Sequence, residues 1–186
     1  MRISLLAEPE LCKNPPERCY LCKKIIMGRL KELAAELGLD AVFDGTHADD
    51  LCGADRPGIA ALKELGIVSP LAAAGIGKEE ILKIARERNI PAPPASACLA
   101  TRIPAGSELT AEKLRLVDRA EQALREAGVT GILRVRLTAG RACVEVEPEM
   151  LKSAELYEDK LKHMGLENIA VGEYQTGGAQ WKKKMQ

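Results

Sequence analysis

Three cysteines stand in contexts that suit metal or sulfur chemistry. Cys19 and Cys22 form a C-x-x-C pair, and Cys98 lies in a proline-rich stretch much further along the chain. The C-x-x-C spacing lets two thiolates converge on one soft metal, and a third thiolate fills another corner of a tetrahedral site. Structural zinc sites normally have four protein ligands, so three cysteines with an open fourth position favour a reactive iron-sulfur cluster. Cys98 is then the candidate catalytic cysteine.

Other interpretations of these cysteines stay open. Zinc fits the same thiolates if Cys52 or Cys12 completes the set. Cys19 and Cys22 also fit a thioredoxin-like dithiol, a reactive pair that occurs at helix starts. Cys98 on its own fits a small buried hydrophobic residue. The pattern assigns no role to Cys12, Cys52 or Cys143.

The composition narrows the class of protein and its partners. The 186 residues carry 27 Lys plus Arg and 27 Asp plus Glu, so no net charge attracts nucleic acid or a membrane surface. One Phe, three Tyr and one Trp offer little for base stacking, so we do not expect a nucleic-acid partner. No apolar run approaches a membrane span and no signal-peptide pattern is present, which predicts a cytoplasmic protein. In that reducing compartment, the six cysteines favour metal ligands or reactive thiols over disulfides.

Alternating strand and helix patterns predict an α/β fold built in two parts. We expect residues 1–106 to form a partial, Rossmann-like parallel-sheet lobe that carries the cysteines. Its predicted strands are 3–7 and 41–43, and its predicted helices are 22–37, 57–65 and 78–88.

Residues 107–186 predict a small α+β lobe of order α-β-β-α-β, for substrate binding or oligomerisation. Thr110 is the expected N-cap of its first helix, whose apolar positions are Leu114, Val117, Ala120 and Leu124. The expected later elements are strands 133–137 and 142–146, a helix over 150–164 and a strand over 169–171.

The hairpin register predicts two arginines on one face of this lobe. A tight turn near Gly140 pairs Arg134 with Glu145 and Arg136 with Cys143, and leaves the other face uniformly apolar. Arg134 and Arg136 together can bind a phosphate, and Arg102, close after Cys98, is a third candidate. The alternative is a solvated strand face with an Arg134–Glu145 pair, worth a few tenths of a kcal/mol.

A polar loop follows the predicted strand 41–43. In open α/β sheets, ligands bind at the carboxyl ends of strands, so Asp44 and Gly45 are candidate cofactor-binding residues. Asp49 and Asp50, in the same loop, are better explained as capping or solvated residues than as metal ligands.

Several motifs, in order along nearly the whole chain, resemble the LarE sulfur transferases of the PP-loop ATP pyrophosphatase superfamily. They are residues 14–24, 44–50 and 55–58, Ser69-Pro70-Leu71, the stretch around Cys98, and Leu133-Arg134-Val135-Arg136. The resemblance implies ATP-dependent adenylation of a pyridinium mononucleotide carboxylate and replacement of AMP by sulfur, in nickel-pincer cofactor synthesis. It also implies a four-iron, four-sulfur cluster on Cys19, Cys22 and Cys98. Glu121 and Glu145 resemble acidic positions of the family, although Glu121 lies on a helix expected to carry exposed acids.

The family's ATP-binding loop, Ser-Gly-Gly-x-Asp-Ser, has no counterpart in this sequence. We therefore expect a separate polypeptide or a preceding segment to supply the loop with its ATP and magnesium, and the chain alone not to hydrolyse ATP. A homo-oligomer is also expected. Two other functions stay open: a sulfur transferase acting on tRNA, and a non-catalytic interaction module stabilised by zinc.

Overall fold

The computed structural model describes residues 1–52, 56–92, 97–138 and 140–175. Its contacts divide the chain into two compact units, the first being Met1–Leu5 with Pro15–Pro93 and the second Leu6–Asn14 with Pro94–Gln186. These bounds differ from the expected division at residue 106, while the functions assigned to the two parts stay predictions. Asp55 and residues 94–96, which belong to the motifs above, lie outside the described residues.

The described elements comprise helices, three strands and short 3-10 turns. The helices are α1 Pro9–Cys12, α2 Arg18–Glu36, α3 Ala48–Leu51, α4 Pro57–Glu64, α5 Pro70–Ala73, α6 Lys78–Glu87, α7 Ala111–Glu126, α8 Leu151–Glu155 and α9 Glu158–His163. The strands are β1 Leu133–Thr138, β2 Arg141–Val146 and β3 Ala170–Glu173, and the 3-10 turns are Leu5–Ala7, Leu99–Arg102 and Pro148–Met150. This mixture of helices with a small sheet confirms the α/β fold class.

The second unit is built on α7 and a three-stranded sheet of order β1-β2-β3. Thr110 caps α7 as predicted, because its hydroxyl accepts the Lys113 amide hydrogen at 3.2 Å. Val117, Ala120 and Leu124 of α7 are fully buried in the core that the helix shares with the sheet. The predicted order of elements is confirmed except that two short helices, α8 and α9, stand in place of the single later helix, and β3 joins β2 in a parallel pairing.

The predicted hairpin register is confirmed. Leu133 pairs with Val146 and Val135 with Val144, and all four side chains are fully buried. A slip by one residue would turn the arginines toward this apolar core, so the alternation specifies the register strongly. The opposite face is not a solvated face, because its two arginines, Cys143 and Glu145 are buried as well.

The first unit packs α2 against α4, whose Ala61 and Leu62 are buried. Its described parallel pairing is one bridge between Phe43 and Val68, where longer strands were expected. The loop that starts at Asp44 leaves this bridge. In the described part of the chain, no helix combines the length and the apolar character needed to cross a bilayer.

Three element predictions were wrong in detail. Residues 3–7 contain the 3-10 turn Leu5–Ala7 instead of a strand, and the division between the two units falls within this turn. Helix α2 begins at Arg18 instead of Cys22, since the prolines before it form a turn closed by the Arg18 amide and the Pro15 carbonyl at 2.9 Å. The helix expected over 150–164 is two short helices, separated where Tyr157 leaves helical geometry with φ −98° and ψ 3°.

Asn14 attaches the Leu6–Asn14 segment to the second unit. It is fully buried with a left-handed φ of 54°, and its amide nitrogen donates to Ile103 O at 3.2 Å and to Pro104 O at 2.7 Å. The Asn14 carbonyl in turn accepts the Gly106 amide hydrogen at 2.7 Å.

Replacing Asn14 by glycine keeps the left-handed backbone but removes the amide that donates to the Ile103 and Pro104 carbonyls. We expect Asn14→Gly to lower the free energy of unfolding by about 1–3 kcal/mol, measured by urea denaturation. Asn89 shares the φ of 54° but is exposed, so Asn89→Gly is the matched control and should change stability by less than about 0.5 kcal/mol. Equal losses in the two variants would contradict the role assigned to the Asn14 side chain.

Candidate functional site

Cys19 and Cys22 lie within the first five residues of α2. Residues three apart on a helix share one side, with Cβ atoms about 5–6 Å apart, so the two sulfur atoms can converge on one metal. Cys19 is exposed and Cys22 is partly buried. Gly58 of α4 lies close to this segment, since a Cβ there would stand 3.7 Å from the Cys19 carbonyl oxygen.

Polar contacts surround this C-x-x-C pair. Tyr20, which lies between the two cysteines, donates its hydroxyl hydrogen to Glu64 at the end of α4. Lys24 donates to the same carboxylate at 2.6 Å, and this bond raises the pKa of Lys24 and lowers the pKa of Glu64. The start of α2 is thereby joined to α4.

The Asp44 carboxylate has several hydrogen-bond partners in the first unit. Its carboxylate accepts the hydroxyls of Ser69 and Thr46, both at 2.6 Å, and Lys23 lies 3.3 Å away. Burial disfavours the charged carboxylate, but the hydrogen bonds outweigh that effect and hold the pKa of Asp44 below its ordinary value. Gly45 follows as an exposed residue. The cofactor role of Asp44 and Gly45 stays a prediction, while the structure gives Asp44 a role in joining the loop to α2.

Asp49 and Asp50 are capping residues, as predicted. Asp49 accepts the Lys78 amide hydrogen of α6 at 2.7 Å, and Asp50 accepts the His47 amide hydrogen at 3.2 Å. Gly77 permits the first contact, since a Cβ there would lie 3.1 Å from the Asp49 carboxylate oxygens.

Cys98 lies in the second unit, in residues 97–102, which we call the cysteine turn. Its side chain is exposed, so it is not the buried hydrophobic residue that one interpretation allowed. Its carbonyl accepts hydrogen bonds from the Thr101 amide at 3.0 Å and the Thr101 hydroxyl at 2.8 Å. The backbone that carries the thiol is therefore held by its own turn.

Arg102 ends the cysteine turn and is only 1% exposed. Its Nε and Nη2 donate to the two carboxylate oxygens of Glu121, at 2.6 and 3.1 Å. Its Nη1 reaches back to the Ala97 carbonyl at 3.0 Å. The bidentate partner of Arg102 in the structure is thus Glu121, while its predicted role toward a substrate phosphate remains a prediction.

Arg136 forms the second buried ion pair of this unit. Its Nε lies 2.9 Å from Glu145, and its Nη1 donates to the Thr101 carbonyl at 2.9 Å. The alternative of a solvated strand face with an Arg134–Glu145 pair is therefore wrong, although the two residues are opposite each other in the register. Arg134 donates to the Leu133 carbonyl at 2.8 Å, and its guanidinium lies 6.0 Å from the centre of the Tyr174 ring.

Arginines outnumber glutamates among these buried groups. In the part of the chain that the structure describes, three arginines and two glutamates of this unit are buried. Burial, together with the neighbouring Arg102 and Arg136, lowers the pKa of Arg134. An anion near Arg134 would relieve this repulsion.

A cavity of about 510 Å³ lies beside the cysteine turn. Cys98 and Arg102 line it on one side, and α7 lines it on the other through Asp118, Glu121, Gln122 and Arg125. The exposed thiol therefore borders a space that offers both cationic and acidic side chains, as binding of a polar, charged molecule requires.

Glu121 was expected on an exposed helix face and is instead 7% exposed. The sequence held a signal for this burial, because Glu121 follows Val117 by four residues and therefore lies on the apolar side of α7. Ser69, which binds Asp44, was noted only as part of a motif. Nothing in the sequence pattern indicated that the Tyr174 ring lies near Arg134.

The predicted three-cysteine ligand set stays a prediction. Cys19 and Cys22 belong to the first unit and Cys98 to the second. Among the described residues, no group of three or more His, Cys, Asp and Glu side chains is placed to hold a metal ion. All six cysteines are described, and none of them forms a disulfide.

Comparison with known proteins gives two relatives without an assigned function. No protein-family model matches the chain. The chain is 37% identical over 174 residues to the uncharacterized protein MJ0830 of Methanocaldococcus jannaschii. The aligned residues cover 92% of this chain and 68% of the relative. It is 42% identical over 149 residues to the uncharacterized protein slr1717 of Synechocystis, covering 79% of this chain and 55% of the relative.

A third relative has a named activity. The pyridinium-3,5-bisthiocarboxylic acid mononucleotide synthase of Lactiplantibacillus plantarum is 29% identical over 161 residues, covering 86% of this chain and 58% of the synthase. The chain thus spans little more than half the length of this synthase and of the Synechocystis protein, and about two thirds of MJ0830.

The lowered pKa of Asp44 predicts a pH dependence of stability. Below the ordinary value of 3.8, the unfolded chain takes up the proton before the folded chain does, so acid favours unfolding. We expect the stability difference between wild type and Asp44→Asn to be largest above pH 4 and to shrink on acidification, measured by urea unfolding. Asp40→Asn, at an exposed position, is the control, and a pH-independent difference for Asp44→Asn would contradict this assignment.

Proposed function

This chain belongs to the same family as MJ0830 of Methanocaldococcus jannaschii, and from that premise we propose that it takes part in ATP-dependent sulfur transfer to a pyridinium mononucleotide. The named relative supports the reaction class. A bisthiocarboxylic acid mononucleotide synthase makes a product with two sulfur-bearing carboxyl groups on a pyridinium ring, so that enzyme's product requires sulfur. We propose the same type of substrate, an activated carboxylate of a pyridinium mononucleotide, for this chain.

One observation carries the proposal: the exposed Cys98 borders the cavity beside the cysteine turn. A thiol that only packs in the core needs no access to a cavity. Cys98 has this access, and Arg102 and Glu121 border the same space. The arrangement suits a cysteine that delivers or ligates sulfur next to a bound polar substrate.

The cysteines fit a cluster by the chemistry of their donor atoms. Cys19 and Cys22 are three residues apart on one helix, and Cys98 presents an exposed thiol. Thiolates are the preferred ligands of iron-sulfur clusters, and a four-iron, four-sulfur cluster on three cysteines leaves one iron open to an external sulfide. The polar contacts around Tyr20 and the hydrogen bonds within the cysteine turn hold the backbone on which these ligands stand.

The mononucleotide phosphate requires a cationic site, and we propose Arg134 as its contact. Burial and the neighbouring positive charges of Arg102 and Arg136 lower the pKa of Arg134, so an anion beside it would stabilise its charged form. Arg102 and Arg136 were predicted for the same site, but Glu121 and Glu145 bind their guanidinium groups. The adenylation step, with its ATP and magnesium, is assigned to a polypeptide segment that carries the PP-loop.

Removing the thiolate of Cys98 tests the cluster. We expect the wild-type chain, reconstituted anaerobically with iron and sulfide, to bind about four of each, and Cys98→Ser and Cys19→Ser to lose nearly all of both. Iron and acid-labile sulfide assays measure this loss. Cys52→Ser replaces another exposed cysteine and should keep the wild-type content. Colourless wild-type protein that binds zinc alone would support the interaction module instead.

Arg134 can be tested by substrate affinity. Nicotinic acid mononucleotide, a pyridinium carboxylate with one phosphate, should bind Arg134→Gln at least about tenfold more weakly than wild type, because a hydrogen bond to a charged group is lost. Isothermal titration calorimetry measures the affinity. The control is Arg119→Gln at an exposed position of α7, and equal affinities for all three proteins would remove Arg134 from the phosphate site.

A further inference from the structure

We infer that Arg102 and Glu121 form a positioning pair, which fixes the backbone of the cysteine turn and thereby sets where the Cys98 thiol points. This inference rests on the proposed function of Cys98. In this inference Arg102 holds the turn whether or not a substrate is bound. A phosphate ligand, in contrast, would contact only the bound substrate.

The contacts of Arg102 converge on the backbone around the thiol. Nη1 lies 3.0 Å from the Ala97 carbonyl oxygen, 3.4 Å from the Cys98 carbonyl oxygen and 2.9 Å from the Thr101 hydroxyl. The Cys98 carbonyl also accepts two hydrogen bonds from Thr101. The carbonyl oxygens on both sides of the Cys98 α-carbon thus accept hydrogen bonds from fixed donors, although the side chain itself is exposed.

Glu121 determines the orientation of Arg102. Two parallel bonds of 2.6 and 3.1 Å bind the guanidinium in one plane. The carboxylate oxygen that accepts from Nε also accepts the Val135 amide hydrogen at 2.9 Å. Because β1 lies at the edge of the sheet that the described strands form, Glu121 satisfies a backbone donor that β2 does not reach. The plane of the Arg102 guanidinium is therefore set by both α7 and β1.

A second ion pair holds the far end of the same turn. Arg136 donates to the Thr101 carbonyl at 2.9 Å and is bound by Glu145 at the same distance. The four charged residues are all at least nine-tenths buried. Two arginines, each held by its own glutamate, thus bind backbone oxygens of one short turn.

This arrangement suits a metal-ligating cysteine. A thiolate that shares a metal with distant ligands binds more tightly when its backbone is ordered beforehand, because less conformational entropy is lost on binding. Replacing a residue that orients a metal ligand typically weakens the affinity for the metal 10- to 100-fold. We expect an effect of that size for the Arg102–Glu121 pair.

The test compares Arg102→Lys and Glu121→Ala with wild type in the full, metal-free chain. Lysine keeps the charge of Arg102 but cannot bind Glu121 and three oxygens of the turn at once. Hydrogen exchange of the Thr101 and Ile103 amides, which are bonded within the turn, should become at least about tenfold faster in both variants. Cobalt(II), titrated anaerobically and followed by its thiolate absorption, should bind both variants 10- to 100-fold more weakly.

Val129→Ala controls for a general loss of stability. Val129 is 1% exposed in the same core but is not among the partners of the cysteine turn described above. It should lower the unfolding temperature while leaving both readouts within about twofold of wild type. Unchanged amide exchange in Arg102→Lys and Glu121→Ala, or equal effects in Val129→Ala, would overturn the inference.

Two further outcomes separate the inference from the proposed function. If wild type binds no cobalt or iron but the turn amides still respond, the cluster proposal fails and the positioning pair stands. If Arg102→Lys keeps amide protection and cobalt affinity but binds nicotinic acid mononucleotide more weakly, Arg102 is a phosphate ligand and the positioning role is wrong.

Discussion

The buried ion pair between Arg102 and Glu121 joins the cysteine turn to the core of the second unit. A guanidinium that is 1% exposed has lost nearly all its hydration, so it needs a partner of opposite charge and acceptors for its remaining hydrogens. Glu121 provides the charge, and the cysteine turn provides the acceptors. Removing one partner of such a pair leaves the other charged and buried, at a cost of about 3–5 kcal/mol. The placement of Cys98 is therefore coupled to the packing of α7 against β1.

The β1–β2 hairpin makes this coupling possible because its two faces carry different chemistry. Leu133, Val135 and Val144 build the apolar core with α7. The alternate positions turn Arg136 and Glu145 to the other side, where they hold the cysteine turn through the Thr101 carbonyl. One short hairpin thus supplies both the stability of the unit and the polar support of the proposed reactive cysteine.

The first unit holds its cysteines differently. Helix α2 packs against α4, and Ala34 is its buried residue. The start of α2 also makes polar contacts, from Lys23 to Asp44 and from Lys24 and Tyr20 to Glu64. Exposed ion pairs contribute little singly, so helix packing remains the main support of the C-x-x-C pair. The cysteine turn differs, because buried ion pairs hold its backbone.

Local pattern alone determined the α/β class, the cap of α7 at Thr110 and the register of β1 with β2, since each depends on residues close in sequence. The alternation of Val135 with Arg134 and Arg136 permits one register, because any slip would place charge in the apolar core. Only the tertiary structure decided that Glu121 is buried, that Glu145 pairs with Arg136 instead of Arg134, and that Arg102 binds the turn it ends. These pairings depend on where α7, β1 and the cysteine turn meet in space. A long side chain can reach several possible partners, and the separation along the sequence does not show which of them it binds.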